Sequence, residues 1–380
     1  MKLAFGIFRY FPYGGLQSDM MRIAEEAASR GHTVTIFAGA WEGGRPSRPG
    51  VTAEVLKSSG WSNHARARSF AERFAEAAEE FDLAVGFNRM PELDVYFAAD
   101  NCFALDAMRH AAPWRLLLPR YRVFGAFERA VFAPSSRTAV MYLTPRQKRD
   151  FQTVYCTPES RFHLLPPGIP RDRKRPPEAE AAAIRGAKRH EFGVLENEIL
   201  LLQIGSGFRN KGTDRSVAAF AALPQELLAK SRLLIAGRES GGRFAALARR
   251  LGVDDRVIFA GGRDDVAGLL LAADLMVHPA RNEAAGTVLT EALAAGLPVI
   301  CTGCCGFENF VRDSGGIVLS EPFEERELER ELAQAIGVPG RLEKLKESAR
   351  VYGASADFYR RAEVAVDVIE GVVDGADYRS

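Results

Sequence analysis

Two acids carry the strongest chemical signal in this chain of 380 residues. Glu283 and Glu291 bracket "EAAGTVLTE", small residues that follow the apolar run "ADLMVHPA" and open a helical pattern. A strand ending near Pro279 and a helix beginning around 285–287 put Glu283 in the loop at the strand's carboxyl edge. Glu291 then falls about one turn into the helix, its side chain leaning back toward the helix N-terminus. Ala284, Ala285, Gly286 and Thr287 lie between them and let backbone amides meet phosphate oxygens at that terminus. One carboxylate can grip a sugar and the other a ribose diol, because each accepts several charge-assisted hydrogen bonds. The plain alternative is a capping carboxylate beside an unrelated surface glutamate.

Two glycine-bearing turns offer anion sites. In "RYFPYGGLQSDMMRIAEE", Gly14 and Gly15 precede a helix expected to open near Ser18, with Asp19 in its first turn. Asp19 there is either a functional acid or a partner for the helix dipole. In "LLLQIGSGFRNKGTDRSVAAF", Gly205 and Gly207 end a strand, and Arg209 and Lys211 come before the next helix. The glycine spacing and the lack of a well-placed acid argue against a dinucleotide fingerprint, and Gly212-Thr213 argues against a P-loop. Two cations beside exposed amides suit a diphosphate neutralised without a metal. Arg263, which follows the run "RVIFAGG", is grouped with these donor-binding candidates.

The elements that must position these residues follow a regular rhythm. "KLAFGIF", a helix near 18–30, "TVTIFAG", a helix near 67–80 and "DLAVGFN" read as βαβαβ. The rhythm restarts at "EILLLQIG" and continues through "SRLLIAGR", "RVIFAGG", "DLMVHP", "LPVICT" and "GGIVLS". Strands apolar almost throughout belong to parallel sheets covered on both faces, so the expected class is α/β with two doubly wound domains and a cleft. The proline-rich, charged stretch "LLPPGIPRDRKRPPEAEAAA" is the expected linker. A last apolar-periodic segment near 356–373 either closes the second domain or crosses back to the first. With 47% apolar residues and a formal net charge of +1, the composition excludes a disordered chain and bulk attraction to nucleic acid. Five cysteines, no leader-like start and no run long enough to span a membrane fit a reducing cytoplasm. "CTGC" at 301–304 lacks a second ligand pair and reads as a βα loop rather than a metal knuckle.

The stretch 102–132, "CFALDAMRHAAPWRLLLPRYRVFGAFERAVF", mixes Arg115, Arg120 and Arg122 with Trp114 and Phe124. Phe124, Phe127 and Val131 share a helical face. Basic residues beside exposed aromatics hold proteins on anionic lipid at about 1 kcal/mol per cation. A helical hairpin packed on its own domain is the structural alternative.

The E-x7-E pattern resembles that of the retaining GT-B glycosyltransferases of family four. "YFPYGGLQSDMMRIA", "GFNRMPELDVYFAAD" at 86–100, "LPPGI", "ADLMVHPA" and "AAGLPV" are similar to segments of the lipopolysaccharide core glucosyltransferase I family, over nearly the whole chain. The resemblance implies a GT-B fold, two Rossmann-like domains facing a central cleft. It places an acceptor-binding domain at 1–166, a nucleotide-sugar-binding domain at 167–352 and a helix at 353–375 crossing back to the first domain. It implies metal-independent transfer of glucose from UDP-glucose to an inner-core heptose of lipopolysaccharide, with retention, on the cytoplasmic face of the inner membrane. By the same carry-over Glu291 holds the uridine ribose, Glu283 sits by the donor sugar, Gly15 and Lys211 face the diphosphate, and Arg173 is a further basic residue of the site. Asp19 and Asp100 are the acids available to the acceptor hydroxyl, although the departing phosphate can take that proton in such enzymes. Two departures from the family pattern stand out. Ala284 replaces the usual aromatic, and the usual Arg-Lys pair reads Asn210-Lys211, with Arg209 one position earlier. Competing readings are a GT-B hexosyltransferase with another nucleotide sugar or lipid acceptor, and a non-catalytic nucleotide-binding membrane adaptor.

Overall fold

The computed structural model describes residues 1–377 except Tyr13 and Ala111, with backbone alone for His110, Pro113 and 374–377. The chain divides into two compact units, one of Met1–Gly168 with the segment from Arg360 onward, the other of Ile169–Tyr359.

The first unit is built on a seven-stranded sheet in which every pairing is parallel. Its strands are β1 (Lys2–Ile7), β2 (Thr33–Ala38), β3 (Val51–Val55), β4 (Leu83–Gly86), β5 (Val95–Ala98), β6 (Ala139–Tyr142) and β7 (Phe162–Leu164), in the order β3-β2-β1-β4-β5-β6-β7. Beyond Lys2, β1 is wholly buried, as a strand covered by helices on both faces must be. Sequence periodicity picked out only β1, β2 and β4. β3 and β7 are partly exposed and give weak apolar runs, whereas β5 and β6, as short and as buried as β4, were passed over.

Helix α1 (Gly15–Ser29) buries Met20, Ile23, Ala24 and Ala27. It opens at Gly15 rather than near Ser18, which moves Asp19 out of the first turn. Helix α2 (Asn63–Ala78) is capped by the Ser62 hydroxyl, which accepts the Ala65 amide, and buries Phe70 and Phe74. Helices α3 (Phe103–His110) and α4 (Pro119–Phe132) make the hairpin of the basic segment. Phe132 of α4 stacks on Phe151 at 3.7 Å between centroids, tying this hairpin into the core. The terminal helix Arg361–Asp377 returns to α1, where Arg30 meets Asp367 at 2.6 Å and Glu370 at 2.9 Å.

The second unit carries a six-stranded parallel sheet: β8 (Ile199–Ile204), β9 (Ser231–Ala236), β10 (Val257–Gly261), β11 (Leu275–His278), β12 (Val299–Thr302) and β13 (Ile317–Leu319). Their order is β10-β9-β8-β11-β12-β13, so the direction of winding reverses between β8 and β11. The expected linker is shorter than its composition suggested. The unit boundary falls after Gly168, and the "PPEAEAAA" portion opens the helix Glu178–Glu191 behind Pro177.

Candidate active site

In a doubly wound sheet, ligands bind outside the carboxyl ends of the strands at the point where winding reverses. In the second unit that point lies between β8 and β11, and the two sequence-predicted loops leave the sheet there. The loop after β8 runs through Gly205 and Gly207 to Lys211, and the loop after β11 carries Glu283.

Backbone contacts pin the two loops to each other. The Arg281 amide donates to Asn210 O at 2.7 Å, and its guanidinium donates to Arg209 O at 2.9 Å and to both oxygens of Asp214 at 2.7 and 2.6 Å. Gly212 has φ of +70°, and a Cβ there would lie 2.0 Å from Pro279 O, so only glycine lets the loops approach this closely. The Arg209 side chain is exposed at the rim.

Lys211 and Glu283 form an ion pair at this junction. His278, the last residue of β11 and fully buried, brings Nε2 to 3.2 Å from the same oxygen, Oε2 of Glu283. Burial works to raise the Glu283 carboxyl pKa, but the hydrogen bond with His278 and the charge of Lys211 outweigh it and hold the value at about 2. The carboxylate is therefore ionised at any working pH, aimed and ready to accept hydroxyl donors. Gln203 of β8 fixes the lysine's backbone, Nε2 donating to Lys211 O at 2.7 Å.

The helix Thr287–Ala294 starts from Gly286, whose φ of +83° makes it a left-handed cap. Leu289 N donates to Gly286 O at 2.9 Å, and the amides of Thr287 and Val288, which precede any intrahelical acceptor, are the ones left for an anion. Glu291, partly buried in the second turn, lies 3.7 Å from Arg173 Nε, so a guanidinium and a carboxylate face each other across this helix start. The backbone of Glu283 bridges Cys305, and Phe307 N donates to Ala285 O at 2.7 Å, bracing Ala284 and Ala285 from the β12 side. Cys301, Cys304 and Cys305 are buried thiols in that brace. Among the described residues no group of three His, Cys, Asp or Glu side chains is arranged to hold a metal ion.

The structure thus brings together Arg173, Lys211, Glu283, Ala284, Ala285, Gly286, Thr287 and Glu291. Other candidates sit elsewhere. Arg263 is engaged by Asp265 and Glu191, with its guanidinium 5.5 Å from the Phe192 ring centroid. Gly15 and Asp19 belong to the first unit, where Gly15 is exposed and open space surrounds the place a Cβ would take. Asp19 is buried, with Oδ1 2.5 Å from Arg22 and Oδ2 2.8 Å from the buried Arg361. Both of its oxygens are committed to guanidinium groups, an anchoring arrangement for the terminal helix rather than that of an acid reaching outward. Asp100 keeps 65% of its side chain exposed, with Oδ2 3.7 Å from Arg89.

In the basic segment, Trp114, Leu117, Arg115, Arg120 and Arg122 are exposed, with Leu117 at 78%. Phe124 is partly buried and packs against Phe103 and Phe127 with centroids at 6.1 and 6.3 Å. Among the described residues no helix is long and apolar enough to cross a membrane.

Sequence reading missed His278 and Glu128. His278 sat inside a segment read only as a strand, although a histidine at a strand's carboxyl end beside proline was the available signal. Glu128 is fully buried in α4, paired with Arg89 and accepting from Phe103 N at 2.7 Å, Ala104 N at 2.9 Å and Tyr155 Oη at 2.8 Å. Nothing in its neighbourhood of sequence announces those partners.

The family model for glycosyl transferases group 1 matches residues 185–352. The lipopolysaccharide glucosyltransferase WaaG of Escherichia coli (strain K12) is 42% identical over 378 residues, covering 99% of this chain and all of the relative. The crystal structure of WaaG, a glycosyltransferase involved in lipopolysaccharide biosynthesis, superposes with a TM-score of 0.91 at 41% identity, covering 97% of this chain and 100% of that one. Anabaena HepE in complex with UDP and glucose shares the fold, with a TM-score of 0.74 at 17% identity over 98% of this chain and 100% of its own. With two parallel-sheet units on the GT-B plan and identity of this extent along its whole length, the chain belongs to the lipopolysaccharide glucosyltransferase family of the group 1 glycosyl transferases.

Proposed function

We propose that this protein transfers glucose from UDP-glucose to an inner-core heptose of lipopolysaccharide, with retention of the anomeric configuration. The observation that carries the reading is the Lys211–Glu283–His278 cluster beside the Glu291 helix start, in a chain 42% identical end to end to a lipopolysaccharide glucosyltransferase. In this reading the diphosphate lies on the amides of Ser206 and Gly207, beyond Gly205 whose amide is taken by Ala236 O, and of the helix start at Thr287. Lys211 and Arg209 supply the positive charge, which makes the transfer metal-independent. Glu291 takes the ribose diol, and Glu283 accepts hydroxyls of the sugar.

The bond from the anomeric carbon to the phosphate oxygen breaks as the bond to the acceptor oxygen forms on the same face. The acceptor hydroxyl's proton passes to the departing phosphate, whose developing charge Lys211 and the amides stabilise. Asp19 is held by two arginines and plays no part in that step, and Asp100 remains available to orient the acceptor. The exposed Trp114, Arg115, Arg120 and Arg122 hold the enzyme on the anionic cytoplasmic face of the inner membrane, where its amphiphilic acceptor lies.

A turnover screen tests this. Labelled UDP-glucose, UDP-galactose, UDP-N-acetylglucosamine and GDP-mannose are offered with heptose-terminated lipopolysaccharide, and the product's anomeric configuration is read by NMR. Efficient transfer from UDP-glucose with an α linkage is expected. Preference for another donor, or inversion, contradicts the assignment. A non-catalytic adaptor would bind UDP and give no product.

A further inference from the structure

The first unit presents a second constructed surface. Strands β3, β2 and β1 are neighbours in its parallel sheet, so the loops that follow them emerge at one carboxyl edge, about 4.8 Å apart per strand. Each of those loops carries an aromatic residue. Tyr10 follows β1, Trp41 follows β2, and Trp61 lies between β3 and α2.

The first two rings are fixed by backbone. Tyr10 N donates to Ala40 O at 2.9 Å and Glu42 N to Tyr10 O at 3.0 Å, a bridge that stacks Tyr10 on Trp41 with centroids 3.8 Å apart and planes 17° apart. Trp41 Nε1 donates to Gly44 O at 3.1 Å, which sets the indole's rotation. The exposed Arg45 guanidinium lies over the Trp41 ring, 5.1 Å from its centroid, a solvent-facing cover that an incoming saccharide ring would displace, and Arg9 pairs with Glu42 at the rim. Trp61 is completely exposed, at 106%, so packing within the fold gives no reason for an indole there.

Scattered exposed apolar residues are ordinary, but two stacked, half-buried rings and a fully exposed indole on the loops after three neighbouring strands, with charged groups around them, have a recognisable chemistry. Aromatic faces receive the C–H faces of pyranose rings, and guanidinium and carboxylate groups at the rim bond the equatorial hydroxyls. We infer that Trp41, braced by Tyr10, and Trp61 form a stacking platform for the pyranose rings of the acceptor saccharide. The inference deepens the proposed glycosyl transfer and rests on it.

The probe is core oligosaccharide ending in heptose, freed of its lipid by mild acid, used with the full-length chain and UDP-glucose. Trp61→Ala and Trp41→Ala should each raise the acceptor KM roughly three- to tenfold, the size of one stacking contact, and leave the UDP-glucose KM within about twofold. Trp41→Phe, which keeps a ring on Tyr10, should restore most of the loss, and an unchanged melting temperature confirms the fold of each variant. An acceptor KM that stays at the wild-type value in both alanine variants overturns the platform while leaving the transfer reading intact. Lowered vesicle binding without a change in acceptor KM also overturns it, in favour of a lipid contact. Absence of turnover by the wild-type chain overturns the transfer reading itself.

Discussion

Lys211, from the loop after β8, and His278, the last residue of β11, meet on one oxygen of Glu283. That convergence makes the lysine's ammonium a preorganised charge at the carboxyl end of β8. Lys211→Met should weaken UDP-glucose binding about ten- to a hundredfold, the value of one charge-assisted hydrogen bond, and leave uridine binding nearly unchanged. Calorimetry with both ligands checks this. Equal losses for the two would mean that the lysine does not face the diphosphate.

The histidine is expected to act through the glutamate. With ordinary carboxyl behaviour near 4.5 and a folded value of about 2, the Glu283 group contributes stability at every pH above the ordinary value and loses it as pH falls toward 2. Burial opposes ionisation there, so His278→Ala should raise the Glu283 midpoint, bringing its titration into the mildly acid range. Carbon NMR of labelled glutamate reads that midpoint directly. His278→Gln, which keeps a donor, should retain more of kcat than His278→Ala, and identical behaviour of the two would remove the positioning role.

Glu291 faces Arg173 at 3.7 Å and is assigned the ribose diol. The wild-type protein should therefore bind UDP more tightly than 2′-deoxy-UDP, by about ten- to a hundredfold. In Glu291→Ala that preference should vanish. A preference that survives the substitution places the ribose elsewhere.

How much of this was legible beforehand depends on what each residue's neighbours are. Glu283, Lys211 and Glu291 were readable because their partners are loops and helix starts, whose glycines and small residues leave marks in sequence. Asp19 was not, because its fate is decided by Arg361, more than three hundred positions away on the terminal helix. The partners of Phe124 were out of reach for a related reason. Periodicity showed an apolar helical face correctly, and only packing tells whether Phe103 or lipid covers it. The apolar runs of the second sheet declared all six of its strands, whereas β3 and β7, partly exposed at the two edges of the first sheet, gave patterns too weak to register.

Glu128 predicts a stability effect. Its carboxylate gathers Arg89, two backbone amides and the Tyr155 hydroxyl in a site closed to water. Glu128→Leu should cost about 3–5 kcal/mol, since it strands a guanidinium and three donors. Urea unfolding followed by circular dichroism gives the number. A loss below about 1 kcal/mol would show that the network relaxes freely.

The exposed cations of the α3–α4 hairpin make a separable claim. Replacing Arg120 and Arg122 together by glutamine should reduce binding to anionic vesicles by roughly ten- to thirtyfold at low salt, at about 1 kcal/mol per cation. UDP binding should be untouched. Flotation that matches the wild type would remove this surface from the membrane assignment.

The most direct measurement of the donor site is a crystal structure of the full-length chain soaked with UDP-glucose. The diphosphate is expected on the amides after β8 and at Thr287 with Lys211 beside it, the ribose diol on Glu291, and the glucose hydroxyls on Glu283. A nucleotide seated away from the β8 and β11 loops, with Lys211 still held by Glu283 alone, would contradict the assignment.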